Sequence, residues 1–140
     1  MNTFQNPSDD ELKLLLQSIK TIAVVGLSPK PDRPSYEVAK LMQDYGYKII
    51  PVRPATDEIL GEKVYRDLAS VDRQIDLVNV FLNPSRLDAL VDACIGNRAP
   101  AIWLQEGVVN EAAALRAQQA GIKVVMDRCV YKDYERLLGK

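Results

Sequence analysis

Residues Thr21 to Tyr36 read Thr-Ile-Ala-Val-Val-Gly-Leu-Ser-Pro-Lys-Pro-Asp-Arg-Pro-Ser-Tyr, and no other stretch restricts the fold so strongly. Ile22 to Val25 is a short, mostly β-branched apolar run closing on Gly26, the pattern of a strand covered on both faces in a parallel sheet. Polarity then changes at once. Gly26 permits a tight turn, Ser28 offers a hydroxyl, Lys30 and Arg33 bring positive charge, and Pro34-Ser35 opens a helix whose first N–H groups lack intrahelical acceptors. Strand, glycine turn and helix N-terminus in that order make an anion cradle. One alternative stays open at this point, in which Gly26 merely ends a strand and the loop is solvated linker.

The spacing departs from the dinucleotide fingerprint. G-x-G-x-x-G would need glycine at 28 and 31, where the chain has Ser28 and Pro31, so the loop argues for a phosphate more than for NAD. Arg53, after the apolar run Tyr47 to Val52, falls at the end of a second strand. An arginine there suits an extra phosphate on a ribose, or else it is a solvated surface residue.

The remaining chain alternates strand and helix. Ser8 and Glu11 form a capping box before an apolar stripe of Leu12, Leu15, Leu16 and Ile19, predicting an N-terminal capping helix. The helix opening at Ser35 carries Val38, Leu41, Met42 and Tyr45 and stops at Gly46. Lys63-Val64-Tyr65 reads as a small edge strand, with Asp67 capping one helical turn. Ile75 to Leu82 is a strand, Asn83-Pro84 opens a helix with Leu87, Leu90, Val91 and Cys94 inward, and Ala101 to Leu104 is another strand. Asn110 caps a helix through Ala120, Gly121 stops it, Ile122 to Met126 is the last strand, and a short helix carries Tyr131, Tyr134, Leu137 and Leu138.

This pattern predicts one α/β domain over residues 1–140, a doubly wound, Rossmann-like parallel sheet of order 3-2-1-4-5-6, with Val64-Tyr65 as strand 3. The switch point falls between the strand ending at Gly26 and the one ending at Leu82. Ligands bind beyond the carboxyl ends of strands at such a point. The loops expected to line the crevice are therefore Gly26 to Ser35, Arg53-Pro54, Phe81 to Asn83 and Gln105 to Gly107.

Composition narrows the function. Eighteen basic against 19 acidic residues leave a net charge of −1, which offers no basic field for nucleic acid. The chain has no histidine, which excludes Ser-His and Cys-His nucleophilic pairs, histidine metal sites and a phosphohistidine. Two cysteines, Cys94 and Cys129, are too few for a metal site and are expected reduced; neither a signal peptide nor a membrane span is expected, and the cytoplasm is the expected compartment.

Several ordered motifs now combine. Val25-Gly26-Leu27-Ser28 with Asp32-Arg33-Pro34-Ser35-Tyr36, Gly46-Tyr47, Pro51-Val52, Gly61-Glu62-Lys63-Val64-Tyr65, Trp103-Leu104-Gln105 with Gly107-Val108, and Met126-Asp127-Arg128-Cys129 resemble the small stand-alone CoA-binding proteins, a family similar in fold to the CoA-binding domain of succinyl-CoA synthetase α subunits. The resemblance runs from about Leu12 onward. It implies non-catalytic binding of coenzyme A or a short acyl-CoA, with Gly26, Leu27 and Ser28 at the pyrophosphate beside Arg33 and Ser35, Arg53 near the 3′-phosphate, Phe81 and Leu82 against adenine or ribose, and Gln105, Glu106 and Gly107 along the pantetheine path. In the family the place of Arg53 is often asparagine and that of Leu82 often arginine, so a phosphate-contacting charge has changed loops. Two other functions fit the same fold: an NADP-dependent oxidoreductase, and an interaction module with a vestigial nucleotide crevice. No protein partner is identified, and the reactivity of Cys129, expected on the crevice side, stays open.

Overall fold

A computed structural model describes residues 3–139 of the chain. Ser8 caps α1 (Asp9–Ser18) by accepting the Glu11 N–H at 3.2 Å, while the Glu11 carboxylate accepts the Ser8 N–H, so the capping box forms as expected. Five parallel strands follow the sequence pattern: β1 (Thr21–Val25), β2 (Lys48–Val52), β5 (Leu77–Val80), β6 (Ala101–Leu104) and β7 (Lys123–Val125), in the order β2-β1-β5-β6-β7. Helices α2 (Pro34–Asp44), α3 (Leu87–Asn97), α4 (Glu111–Gln119) and α5 (Val130–Leu138) cross between and after them. One core lies under α3 and α4, the other under α1, α2 and α5, and alternate residues of each strand feed opposite cores.

The expected third strand is corrected. Glu62–Lys63 (β4) turns away and pairs antiparallel with Glu58–Ile59 (β3), and only Tyr65 reaches the main sheet, in a single parallel bridge to Val52. The reason is local. Tyr65 exchanges two backbone hydrogen bonds, its N–H to the Pro51 carbonyl and its carbonyl from the Arg53 N–H, and no further rung forms because β2 has ended at Val52 and the chain after Tyr65 enters the Asp67-capped 3₁₀ turn Leu68–Ser70. The strand expected over Ile75 to Leu82 is likewise shorter. Before it the Asp76 side chain accepts the N–H groups of Lys20 and Thr21, and after it the chain bends into the 3₁₀ turn Pro84–Arg86.

Two aromatic anchors set where α5 lies. Trp103, fully buried on β6, donates its indole N–H to the Arg128 carbonyl at 2.8 Å, fixing the entry to α5. At the far end Tyr45 stacks on Tyr134 with centroids 4.0 Å apart, and its hydroxyl donates to the Glu135 carboxylate, tying α2 to α5. Between them the bidentate pair of Arg128 with buried Asp133, at 2.6 and 2.7 Å, pins the first turn of α5 and raises the Arg128 pKa.

Asn79, in the middle of β5, is the exception to a satisfied core. It is 1 % exposed, and neither its amide nitrogen nor its carbonyl oxygen has a partner among the described residues. Such an orphan costs roughly 1–3 kcal/mol. Asn79→Val should therefore raise stability by about 1 kcal/mol, seen as a higher urea midpoint at unchanged slope; a loss of that size would mean that the amide is partnered in solution.

Candidate functional site

The crevice lies at the carboxyl ends of β1, β2, β5 and β6, where the sheet order reverses. Gly26 is its pivot. The residue has φ +85°, its N–H donates to the Val52 carbonyl at 3.0 Å, and a Cβ at this position would stand 2.3 Å from the Phe81 carbonyl oxygen. Only glycine tolerates both the left-handed backbone and this approach of the β1 and β5 loops. Two cavities meet at Gly26, and a third joins them at Phe81.

The middle cavity, about 450 Å³, is the loop read from sequence: Gly26, Ser28, Lys30, Arg33, Pro34 and Ser35 line it with Arg53 and Phe81. The Ser35 hydroxyl accepts the Ser28 N–H at 2.9 Å and the Ser28 hydroxyl accepts the Lys30 N–H at 3.1 Å, which holds the loop over the helix and leaves both O–H groups to donate elsewhere. Arg33 is the N-cap residue of α2 but makes no side-chain cap, and Pro34 is the first helical residue. The Ser35 and Tyr36 N–H groups thus have no intrahelical acceptor, and the helix dipole adds to their positive field.

A second cavity, about 490 Å³, opens on the α3 side between Arg53, Arg66 and Arg86, with Leu68, Leu82 and Leu90 as apolar lining. Arg53 makes only long contacts, from Nε to the Pro54 carbonyl at 3.4 Å and from Nη1 to the Leu27 carbonyl at 3.5 Å. Among the described residues Lys30, Arg33, Arg53 and Arg86 have no carboxylate within ion-pair distance, and Arg66 has only its neighbour Asp67 at 3.6 Å. Four unneutralised cations around connected cavities are an anion-binding arrangement.

The third cavity, about 540 Å³, is a groove between α2 and α5, walled by Val38, Leu41, Val108 and Tyr131 and reached past Pro34 and Phe81. Glu106 and Lys132 pair across it at 3.1 Å, a contact that raises the lysine pKa. Gln105 and Cys129 lie deeper.

The expected site residues thus separate by position. Gly26, Ser28, Arg33, Ser35, Arg53, Phe81 and Leu82 all line the first two cavities, and Gln105 and Glu106 the third. Leu27 is 0 % exposed with its side chain in the core, so its backbone alone faces the loop. Gly107 turns its N–H to the Asp127 carboxylate at 2.8 Å and lines none of the three cavities. Arg66, Arg86 and Lys132 were not legible as site residues. Arg86 stands one turn beyond Leu82, and a count of cations within a turn of each crevice loop would have found it.

A family model for a CoA binding domain matches residues 20–135. The chain belongs to this CoA-binding domain family. It is 48% identical over 126 residues to the uncharacterized protein YneT of Bacillus subtilis, covering 90% of this chain and 93% of that one. A hypothetical protein from Pyrococcus horikoshii OT3 has the same fold, with a TM-score of 0.92 at 33% identity over 99% of this chain and all of the other, 100%. An ADP-forming acetate–CoA ligase of Methanocaldococcus jannaschii is 30% identical over 86 residues, 61% of this chain and 12% of the ligase. The range matched by the family contains every residue of the three cavities.

The pivot carries a prediction. Gly46, at φ +107°, has open space for 4 Å around the place a Cβ would take, whereas Gly26 has the Phe81 carbonyl there. Both alanine variants lose the conformational term, more than about 1 kcal/mol. Gly26→Ala should lose clearly more, measured by urea denaturation of both; equal losses would mean that the Phe81 loop moves aside freely.

Proposed function

We propose that the protein binds coenzyme A, free or as a short acyl thioester, without transforming it. The observation that carries the reading is that three chemically distinct cavities share Phe81, two of them also sharing Gly26 and Arg53. Coenzyme A has three parts that differ in the same way. Its pyrophosphate suits the middle cavity, where Lys30, Arg33, two serine O–H groups and the α2 N-terminus supply donors and positive charge. Its adenosine 3′-phosphate suits the arginine-lined cavity, with the base against Leu68, Leu82 and Leu90. Its pantetheine arm, mostly apolar with two amides, suits the groove of Val38, Leu41 and Val108, where Gln105 offers a donor.

No histidine is present to carry a phosphoryl group, and no cluster of metal-ligating side chains occurs among the described residues, which supports binding over group transfer. The described helices include none long and apolar enough to cross a membrane. A second reading, NADP binding, draws on the same arginines, since a ribose 2′-phosphate would meet them equally well. Its nicotinamide half, however, would have to occupy the groove between α2 and α5, whose apolar walls better suit a flexible arm.

Calorimetric titration separates these. Coenzyme A should bind more tightly than NADP; tighter NADP binding would reverse the assignment. Arg33→Ala should weaken coenzyme A and dephospho-CoA alike by roughly 1.5–3 kcal/mol, about 10- to 150-fold. Arg86→Ala should weaken coenzyme A by a similar factor and leave dephospho-CoA unchanged, and Arg53→Ala, at a residue that lines both cavities, should weaken coenzyme A more than dephospho-CoA; equal losses for both ligands in both variants would remove the 3′-phosphate from the arginine cavity.

A further inference from the structure

We propose that Cys129 is a thiol-exchange site for the ligand's own thiol, where a CoA disulfide leaves the protein as a mixed disulfide; this rests on the coenzyme A reading above. The two cysteines differ in kind. Cys94 is fully buried among apolar side chains of α3, and burial pushes its thiol pKa up to about 12, so it has neither access nor a thiolate. Cys129 is 6 % exposed and lines the groove between α2 and α5.

An independent feature of the groove points to a ligand. Gln105 is only 5 % exposed and its Oε1 accepts the Val130 N–H at 3.1 Å. Because that partner is a donor, the orientation of the carboxamide is settled, and its Nε2 is left toward the groove with no acceptor among the described residues. A pantetheine amide carbonyl would satisfy it. The same hydrogen bond holds Val130, the residue after Cys129, so the free amide and the thiol occupy a fixed relation in one wall. Arg128, on the other side, is held by Trp103 and Asp133. The Glu106–Lys132 pair in the groove wall is exposed, and a surface pair of this kind opens readily.

The step balances without an outside oxidant. The Cys129 thiol loses its proton to water, and the thiolate attacks one sulfur of CoA disulfide. The new protein–CoA S–S bond forms as the old S–S bond breaks, and the departing CoA thiolate takes up a proton. Binding of the nucleotide half raises the local concentration of the disulfide at the cysteine.

The test uses the whole chain in two stages. Calorimetry with reduced coenzyme A under reducing conditions first reads binding by itself; its absence would overturn the binding proposal and this inference together. Intact mass spectrometry after exposure to CoA disulfide, with reductant removed, then reads the exchange. One adduct should form on wild type and on Cys94→Ser and none on Cys129→Ser, with peptide mapping of the wild-type adduct assigning the sulfur directly. The adduct should form on the order of tenfold faster than with oxidised glutathione, which lacks the nucleotide, and Arg33→Ala should abolish most of that advantage. Tight binding of reduced coenzyme A with no adduct, an adduct mapped to Cys94, or equal rates with both disulfides would overturn the exchange site and leave the binding proposal standing.

Discussion

The approach of Gly26 to the Phe81 carbonyl is the constraint on which the crevice depends. β1 and β5 are neighbours in the sheet, and their loops leave its edge in opposite directions, α2 to one face and α3 to the other. A gap at such a reversal is general to open α/β sheets. Here the two loops also touch, through a residue with no Cβ, so the first two cavities share Gly26 and all three share Phe81 instead of lying apart.

Electrostatics then assigns the parts. Some arginines elsewhere are paired with acid, Arg116 with Asp88 and Asp92 and Arg136 with Asp9 and Asp133. Around the crevice Lys30, Arg33, Arg53 and Arg86 have no such partner among the described residues, although the chain as a whole carries a net charge of −1. The local field is therefore a matter of placement, and a strand end, a helix start and a 3₁₀ turn converge to supply it. The groove toward α5 differs. Of its three charged lining residues, Glu37, Glu106 and Lys132, the last two satisfy each other, and the rest of the lining is mostly apolar with the Gln105 amide.

Much of this was legible because short-range rules operate at the positions that matter. Gly26 after an apolar run, Pro34 at a helix start, Ser8 with Glu11, and Asn110 before α4 each act within a few residues, and each forms as the local chemistry predicts. Strand order followed from the alternation of elements, apart from the third strand, where competition between the β3–β4 hairpin and the main sheet reduced it to the Tyr65 bridge. That the bridge stops at Tyr65 is a local effect, whereas the pairing of Glu62–Lys63 with the hairpin strand instead of the main sheet has no local signature. The same holds for Arg66 and Arg86, which enter the crevice from the segments outside the main strands and helices, and for Gln105, whose place after β6 marked it for a ligand while its oxygen accepts the Val130 N–H at the start of α5. Leu27 shows the converse: it lies within the motif, yet its side chain belongs to the core.

The central claim is that the two phosphate groups of one ligand are held in separate cavities on either side of Gly26. Phosphorus NMR of coenzyme A reads them as distinct resonances. On titration with the protein, both the pyrophosphate and the 3′-phosphate signals should shift or broaden to saturation at one equivalent. A pyrophosphate signal that responds while the 3′-phosphate keeps its free position would contradict the account.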